Sequence, residues 1–175
     1  RRGRAADLIT YQLEAGLVSQ IGALVSMPCA GGRFYQSRLL DSLFGIEGTE
    51  ITGEVGCDTL PFVEDALDLD LMQKNLWFAA PSPQELGLTD RYFHDREEAA
   101  HSVYSVYQEM LRAMRDAGIA GHVLHCRNPA AEELEVLAGR KVFFFCHDQT
   151  RKSLALLLEH QAVVAIRPSA LGLIR

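Results

Sequence analysis

Apolar residues recur along this chain in two alternating periods, and that alternation predicts its architecture. Between Gly121 and Pro168 the runs GHVLHC, VFFFC and VVAIR are separated by two amphipathic stretches. Runs of about five apolar residues alternating with helical stretches of roughly ten are the mark of consecutive βαβ units. The runs close on Cys126, Cys146 and Arg167, twenty and twenty-one residues apart. Parallel strands in such units lie side by side, so these three residues are expected at one edge of a sheet.

The same reading extends to the first half. Ala5 to Gly22 has the helical period, with Leu8, Ile9, Leu13, Leu17 and Ile21 apolar. Ala23–Met27 reads as a short strand ending at Pro28-Cys29, and Arg33–Phe44 as a helix closed by Gly45. Glu50–Val55 reads as a strand leading to Cys57, and a helix from Pro61 runs to about Asn75. Leu76–Ala79 is another apolar run. Residues 80–93, with Pro81-Ser82-Pro83, form a polar joint or lid loop. His94–Ala117 carries a stripe from Ala100 to Met114 and predicts the longest helix.

Six strand candidates alternating with helices, in 175 residues, suit one α/β domain. The expected fold is a three-layer αβα sandwich with a mostly parallel sheet of about six strands. A β/α barrel usually needs about 250 residues, so that alternative requires the chain to be a fragment. The chain begins on Arg1 rather than Met and ends on Gly172-Leu173-Ile174-Arg175, as a trimmed piece would.

Composition narrows the function classes. A formal net charge of −6 argues against a general nucleic-acid binder, whose affinity comes from neutralising phosphates. The one basic cluster is Arg1-Arg2-Gly3-Arg4. Asp7, Gln12 and Glu14 follow it, so no signal-peptide core is read there. No apolar run approaches the length of a membrane span. The cysteines Cys29, Cys57, Cys126 and Cys146 form no CxxC pair, which fits free thiols in a cytoplasmic protein.

Candidate chemistry gathers at the expected strand ends. Cys126 and Cys146 occupy matching positions on consecutive runs and, if those strands pair about 4.8 Å apart, could share a zinc ion with His125. An iron–sulfur cluster has less support, because no clustered cysteine run exists. Alternatively Cys146 or Cys29 is a nucleophile, with His147 and Asp148 nearby in sequence, Cys29 drawing on the helix start that follows it. Neighbours on a strand point to opposite faces, so His125 cannot easily join Cys126, nor His147 join Cys146. The third reading makes the cysteines core filling. Gly31, Gly32 and Arg33, with Arg127 and Arg167, would hold an anionic small molecule. The sequence therefore predicts a hydrolase or transferase acting on such a metabolite, or else a non-catalytic binding domain; a homo-oligomer is compatible with either.

Overall fold

The computed structural model describes residues 7–174; the basic cluster Arg1–Arg4 lies outside them. Helix α1 (Leu8–Gly22) starts under an Asp7 cap, whose carboxylate accepts the Thr10 N–H at 2.8 Å. Strand β1 (Cys29–Gly31) follows, then a 3₁₀ turn (Arg33–Tyr35) and α2 (Gln36–Ser42). Strands β2 (Leu43–Glu47) and β3 (Glu50–Cys57) precede α3 (Leu60–Met72). Then come β4 (Trp77–Pro81), a 3₁₀ turn (Pro83–Leu86), β5 (Thr89–Asp90) and α4 (Arg96–Asp116). The chain continues through β6 (Gly121–Cys126), α5 (Ala131–Leu137), β7 (Val142–Cys146), α6 (Arg151–His160) and a 3₁₀ segment (Pro168–Ile174).

The main sheet is parallel, in the order β1-β4-β6-β7, and is flanked by helices. This is consistent with the expected three-layer α/β sandwich, with four strands in the sheet rather than about six. The remaining strands form a second, smaller sheet, β2-β3-β5, in which β2 and β3 run antiparallel. Among the described residues no helix is long and apolar enough to cross a membrane.

Three expected elements differ, each for a physical reason. Ala23–Met27 is not a strand: Leu24 turns at φ +55° after α1, and Leu24, Val25 and Met27 are exposed. The strand is Cys29–Gly31 instead. The helix expected over Arg33–Phe44 ends at Ser42, because Leu43 and Phe44 pair with Cys57 and Gly56 across the small sheet. Gly45 is therefore not a helix C′ residue. It sits at a bulge with φ +72°, where an added Cβ would lie 2.2 Å from the Glu54 carbonyl oxygen. Finally, Val163–Arg167 forms no strand.

The side chain of Gln161 explains that last absence. Its Oε1 accepts the Phe144 N–H at 2.8 Å and its Nε2 donates to the Phe144 carbonyl at 3.1 Å. One amide thus takes both backbone groups of Phe144, at the middle of edge strand β7, where a further strand would pair. Gln20 does the same at the opposite edge, binding the Cys29 N–H and C=O, both at 2.8 Å. Both edges of the sheet are closed by glutamines rather than by more strands.

The two faces of the sheet are not equivalent. Ala30, Phe78, Ala80, Leu124, Val142 and Phe144 point into one continuous core with the buried stripes of the helices. Tyr104, Tyr107, Met110, Leu111 and Met114 supply the α4 side of it, as the stripe predicts. Trp77, Val123, Phe143 and Phe145 lie on the other face and stay half-buried, outside that core. Trp77 and Phe143 pack together there, ring centroids 5.6 Å apart. Gln161→Leu should destabilise the fold by about 1–3 kcal/mol, the cost of leaving buried backbone groups unpaired. Urea unfolding measures it; Gln20→Leu, at a half-exposed site, should cost less.

Candidate functional site

The register of β6 and β7 sorts the candidate residues. Cys126 pairs with Cys146 and His125 with Phe145. Because side chains alternate, both thiols face the helical core and both histidines face the other side. The expected pairing of Cys126 and Cys146 across adjacent strands is present, and both residues are fully buried. Cys146 Sγ donates to the Arg127 carbonyl at 2.8 Å, and Cys126 Sγ to the Phe145 carbonyl at 3.7 Å. Burial, then the neighbouring Cys146 and Glu133, push the Cys126 thiol well above its ordinary range.

The ligand set Cys126, Cys146 and His125 is not gathered, since the imidazole leaves from the opposite face. Among the described residues no three His, Cys, Asp or Glu side chains converge for a metal ion. The nucleophile set is not gathered either. Cys29 opens β1 rather than closing a strand, so it stands at the amino edge, paired with Trp77, away from Cys146. Burial pushes its thiol up to about 11, the reverse of what a nucleophile needs. Asp148 is exposed, and its backbone carbonyl, not its carboxylate, accepts from Cys146 Sγ at 3.4 Å. Cys57 lies in the small sheet, its thiol pushed up to about 12 by burial, Glu109 and Asp58.

The histidines, by contrast, meet. His125 Nδ1 and His147 Nε2 are 3.0 Å apart, with the rings stacked at 26°. Phe145 sits edge-on to both, at 5.7 and 5.1 Å between centroids. Arg167 arrives from the irregular segment after α6, and its Nη2 lies 3.1 Å from His147 Nδ1. Its guanidinium also covers the Phe145 ring at 5.8 Å.

The direction of this chain of hydrogen bonds follows from chemistry. A guanidinium can only donate, so neutral His147 accepts at Nδ1 and carries its proton on Nε2. That proton is given to His125 Nδ1, which leaves the His125 proton on Nε2. His125 Nε2–H has no partner among the described residues and is an available donor. Burial, His147 and Arg33 bring the His125 pKa down to about 4. Burial, Arg167 and Arg33 lower that of His147, opposed by Glu85 and Asp148. Both rings are thus neutral at neutral pH.

The other anion-binding candidates divide. Arg33 is exposed at the carboxyl edge and bears on both histidines. Arg127 is partly neutralised by Glu85, 3.7 Å from its Nε. Gly31 and Gly32 serve the sheet: Gly32 N–H donates to the Ala79 carbonyl at 2.8 Å. At Gly31, with φ +82°, a Cβ would lie 2.2 Å from that same oxygen. These glycines allow β1 to approach β4, and that N–H is not free for a ligand.

Sequence reasoning missed Glu85, whose Oε1 accepts the Arg127 N–H at 2.7 Å, and the aromatic platform of Phe145. Phe145 was legible only as part of an apolar run, and nothing in the local pattern marked Glu85. A separate cavity of about 480 Å³ lies between α4, β3 and the loop before it, lined by Ile51, Leu88, Arg96, Val103 and Tyr104. None of the predicted site residues lines it.

No family model matches the chain. No curated protein matches it either. Two solved structures are similar in fold. One is a B12-independent methionine synthase from Shewanella sp. W3-18-1 in complex with selenomethionine, at 17% identity and a TM-score of 0.61, covering 79% of this chain and 50% of that one. The other is the putative vitamin-B12-independent methionine synthase from Listeria monocytogenes, at 19% identity and a TM-score of 0.54, covering 79% and 53%. The chain spans about half the length of these structures. At such identities the likeness shows the fold.

If Arg167 donates to His147 as described, Arg167→Gln removes the nearest cation from a depressed imidazole. The His147 pKa should then rise toward the ordinary 6.5. Imidazole chemical shifts followed by NMR from pH 4 to 8 measure this. No rise would break the proposed direction of the hydrogen-bond chain.

Proposed function

We propose that this chain binds an anionic small metabolite at the carboxyl edge of its main sheet and supplies acid–base chemistry there. The observation that carries the reading is the chain Arg167 → His147 → His125, which ends in an unpartnered N–H donor. Arg33 and Arg167 furnish the positive charge; no carboxylate pairs with either among the described residues. An anion accepting from His125 Nε2–H would favour the imidazolium, so proton uptake would accompany binding.

Acid–base work fits hydrolysis or group transfer, with His125, protonated as the anion binds, donating its Nε2 proton to a leaving group. A thiol nucleophile is not part of this reading: Cys29 holds its proton tightly, and Cys146 is fully buried on the face turned away from the histidines. A zinc site would need ligands beyond the thiol pair, which faces away from the histidines. The neighbour from Shewanella was solved with selenomethionine, which supports a small-metabolite ligand without naming it. Four unpaired cysteines support a reducing, cytoplasmic setting.

Calorimetric titration with small carboxylates and phosphates, L-methionine among them, tests the reading. At least one should bind, and Arg167→Gln or His125→Ala should weaken it roughly tenfold or more, the loss of one charge-assisted hydrogen bond. Equal affinity in wild type and both variants would place binding elsewhere and sink the proposal.

A further inference from the structure

We infer that Glu133 is a proton-operated latch on the 82–86 turn: neutral, its carboxyl clips the turn to α5, and ionised, it lets the turn go. Glu133 sits in the first turn of α5 and is fully buried. Its Oε1 accepts the Gln84 N–H at 2.9 Å, a contact across 49 residues of sequence. Among the described residues its Oε2 has no hydrogen-bond partner, and neither has the buried hydroxyl of Ser82.

Two unsatisfied polar atoms in one buried pocket are unusual, since most such groups are paired. The Ser82 hydroxyl acts on the Glu133 carboxyl yet stands outside hydrogen-bonding geometry. A protonated Oε2 could donate to that hydroxyl and satisfy both atoms at once. An ionised carboxylate would leave a charge in the core without an ion-pair partner.

Among the described residues no cation pairs with Glu133, although Arg96 acts on the neighbouring Tyr104. The turn brings Glu85; α4 brings the phenols of Tyr104 and Tyr107; β6 brings the thiol of Cys126; and Glu132 precedes it on its own helix. Burial is the largest influence and raises its pKa to about 7, with Gln84 and Ser82 opposing and Glu85 reinforcing. In a released turn the carboxyl returns to near its ordinary 4.5. The latch is therefore fully held below about pH 4.5, weakens as pH rises, and is lost by about pH 7.

The turn reaches the histidine edge directly. Ser82 N–H donates to the His125 carbonyl at 2.8 Å, and Glu85 holds the Arg127 N–H. Pro81, just before, accepts from the Tyr107 hydroxyl at 3.0 Å. Releasing residues 82–86 would loosen the backbone that carries His125 and lower affinity for an anion there. That last consequence rests on the anion-binding reading above; the latch itself does not.

Hydrogen exchange at the Gln84 and Glu85 amides, corrected for intrinsic chemistry, tests the latch in the unliganded protein. In wild type, protection should fall roughly tenfold or more between pH 5 and 8. In Glu133→Gln, which keeps an acceptor for the Gln84 N–H and a donor toward the Ser82 hydroxyl and cannot ionise, protection should not change with pH. Equal slopes in the two proteins would overturn the latch. Sulfate, which does not titrate in this range, is the ligand probe: wild type should lose affinity faster than Glu133→Gln as pH rises. Identical affinity trends, with sulfate bound, would overturn the coupling to the edge. If sulfate does not bind while the exchange pattern holds, the latch stands and the anion reading is the one that fails.

Discussion

The side-chain period of two along β6 and β7 governs what this edge can do chemically. With Cys126 opposite Cys146 and His125 opposite Phe145, two soft ligands and two imidazoles lie within a few residues of each other yet never share a face. Both thiols join the helical core, fully buried; burial holds the Cys126 proton, and Cys146 Sγ donates to the Arg127 carbonyl. The imidazoles join the half-buried face, where Phe145 orders them and Arg167 fixes their tautomers. A slip of one residue in the pairing would exchange these roles. Much of the core-side burial opposes such a slip, since Leu124 and Phe144 would turn away from it.

The sheet order runs without reversal from β1 to β7, so it offers no switch-point crevice of the kind doubly wound sheets use. Polar groups reach this edge instead from loops that fold back over it. Arg167 does so from beyond α6, steadied by Gln149. That side chain accepts the Arg167 N–H at 2.9 Å and donates to the Ala165 carbonyl at 2.9 Å. The 82–86 turn does so from beyond β4. Each approaches through backbone hydrogen bonds, which set position more firmly than side-chain contacts between exposed groups.

The longest helix, the βαβ run from Gly121 to Cys146 and the divergence of each adjacent His–Cys pair were legible because period and alternation are local properties. Cys29 was misplaced because the strand was read as ending there, when in fact it begins there. The apolar residues before it close a helix instead. The strand expected at Val163–Arg167 fails on a nonlocal fact. Gln161 has already taken the Phe144 backbone groups, and no window around Val163 contains that information. Gln20 hides in the same way, as one polar residue late in a largely apolar helix. Glu133 looks like any acidic residue in a helix's first turn; only the packing of the 82–86 turn over it makes it buried.

The overall charge of −6 gives a poor guide to this edge. What matters locally is which groups stay neutral. Burial pushes the histidine pKa values down, so both imidazoles at the strand ends are uncharged near neutrality, while Glu133, raised to about 7, is only part-ionised there. Glu85 is committed to Arg127. The guanidiniums of Arg33 and Arg167 are left as the edge's net charge, offset chiefly by exposed Asp148, whose water-facing carboxylate is screened. A locally positive edge on an acidic protein can draw a small anion over short range without drawing polyanions over long range, because beyond about a Debye length the field of the whole chain prevails.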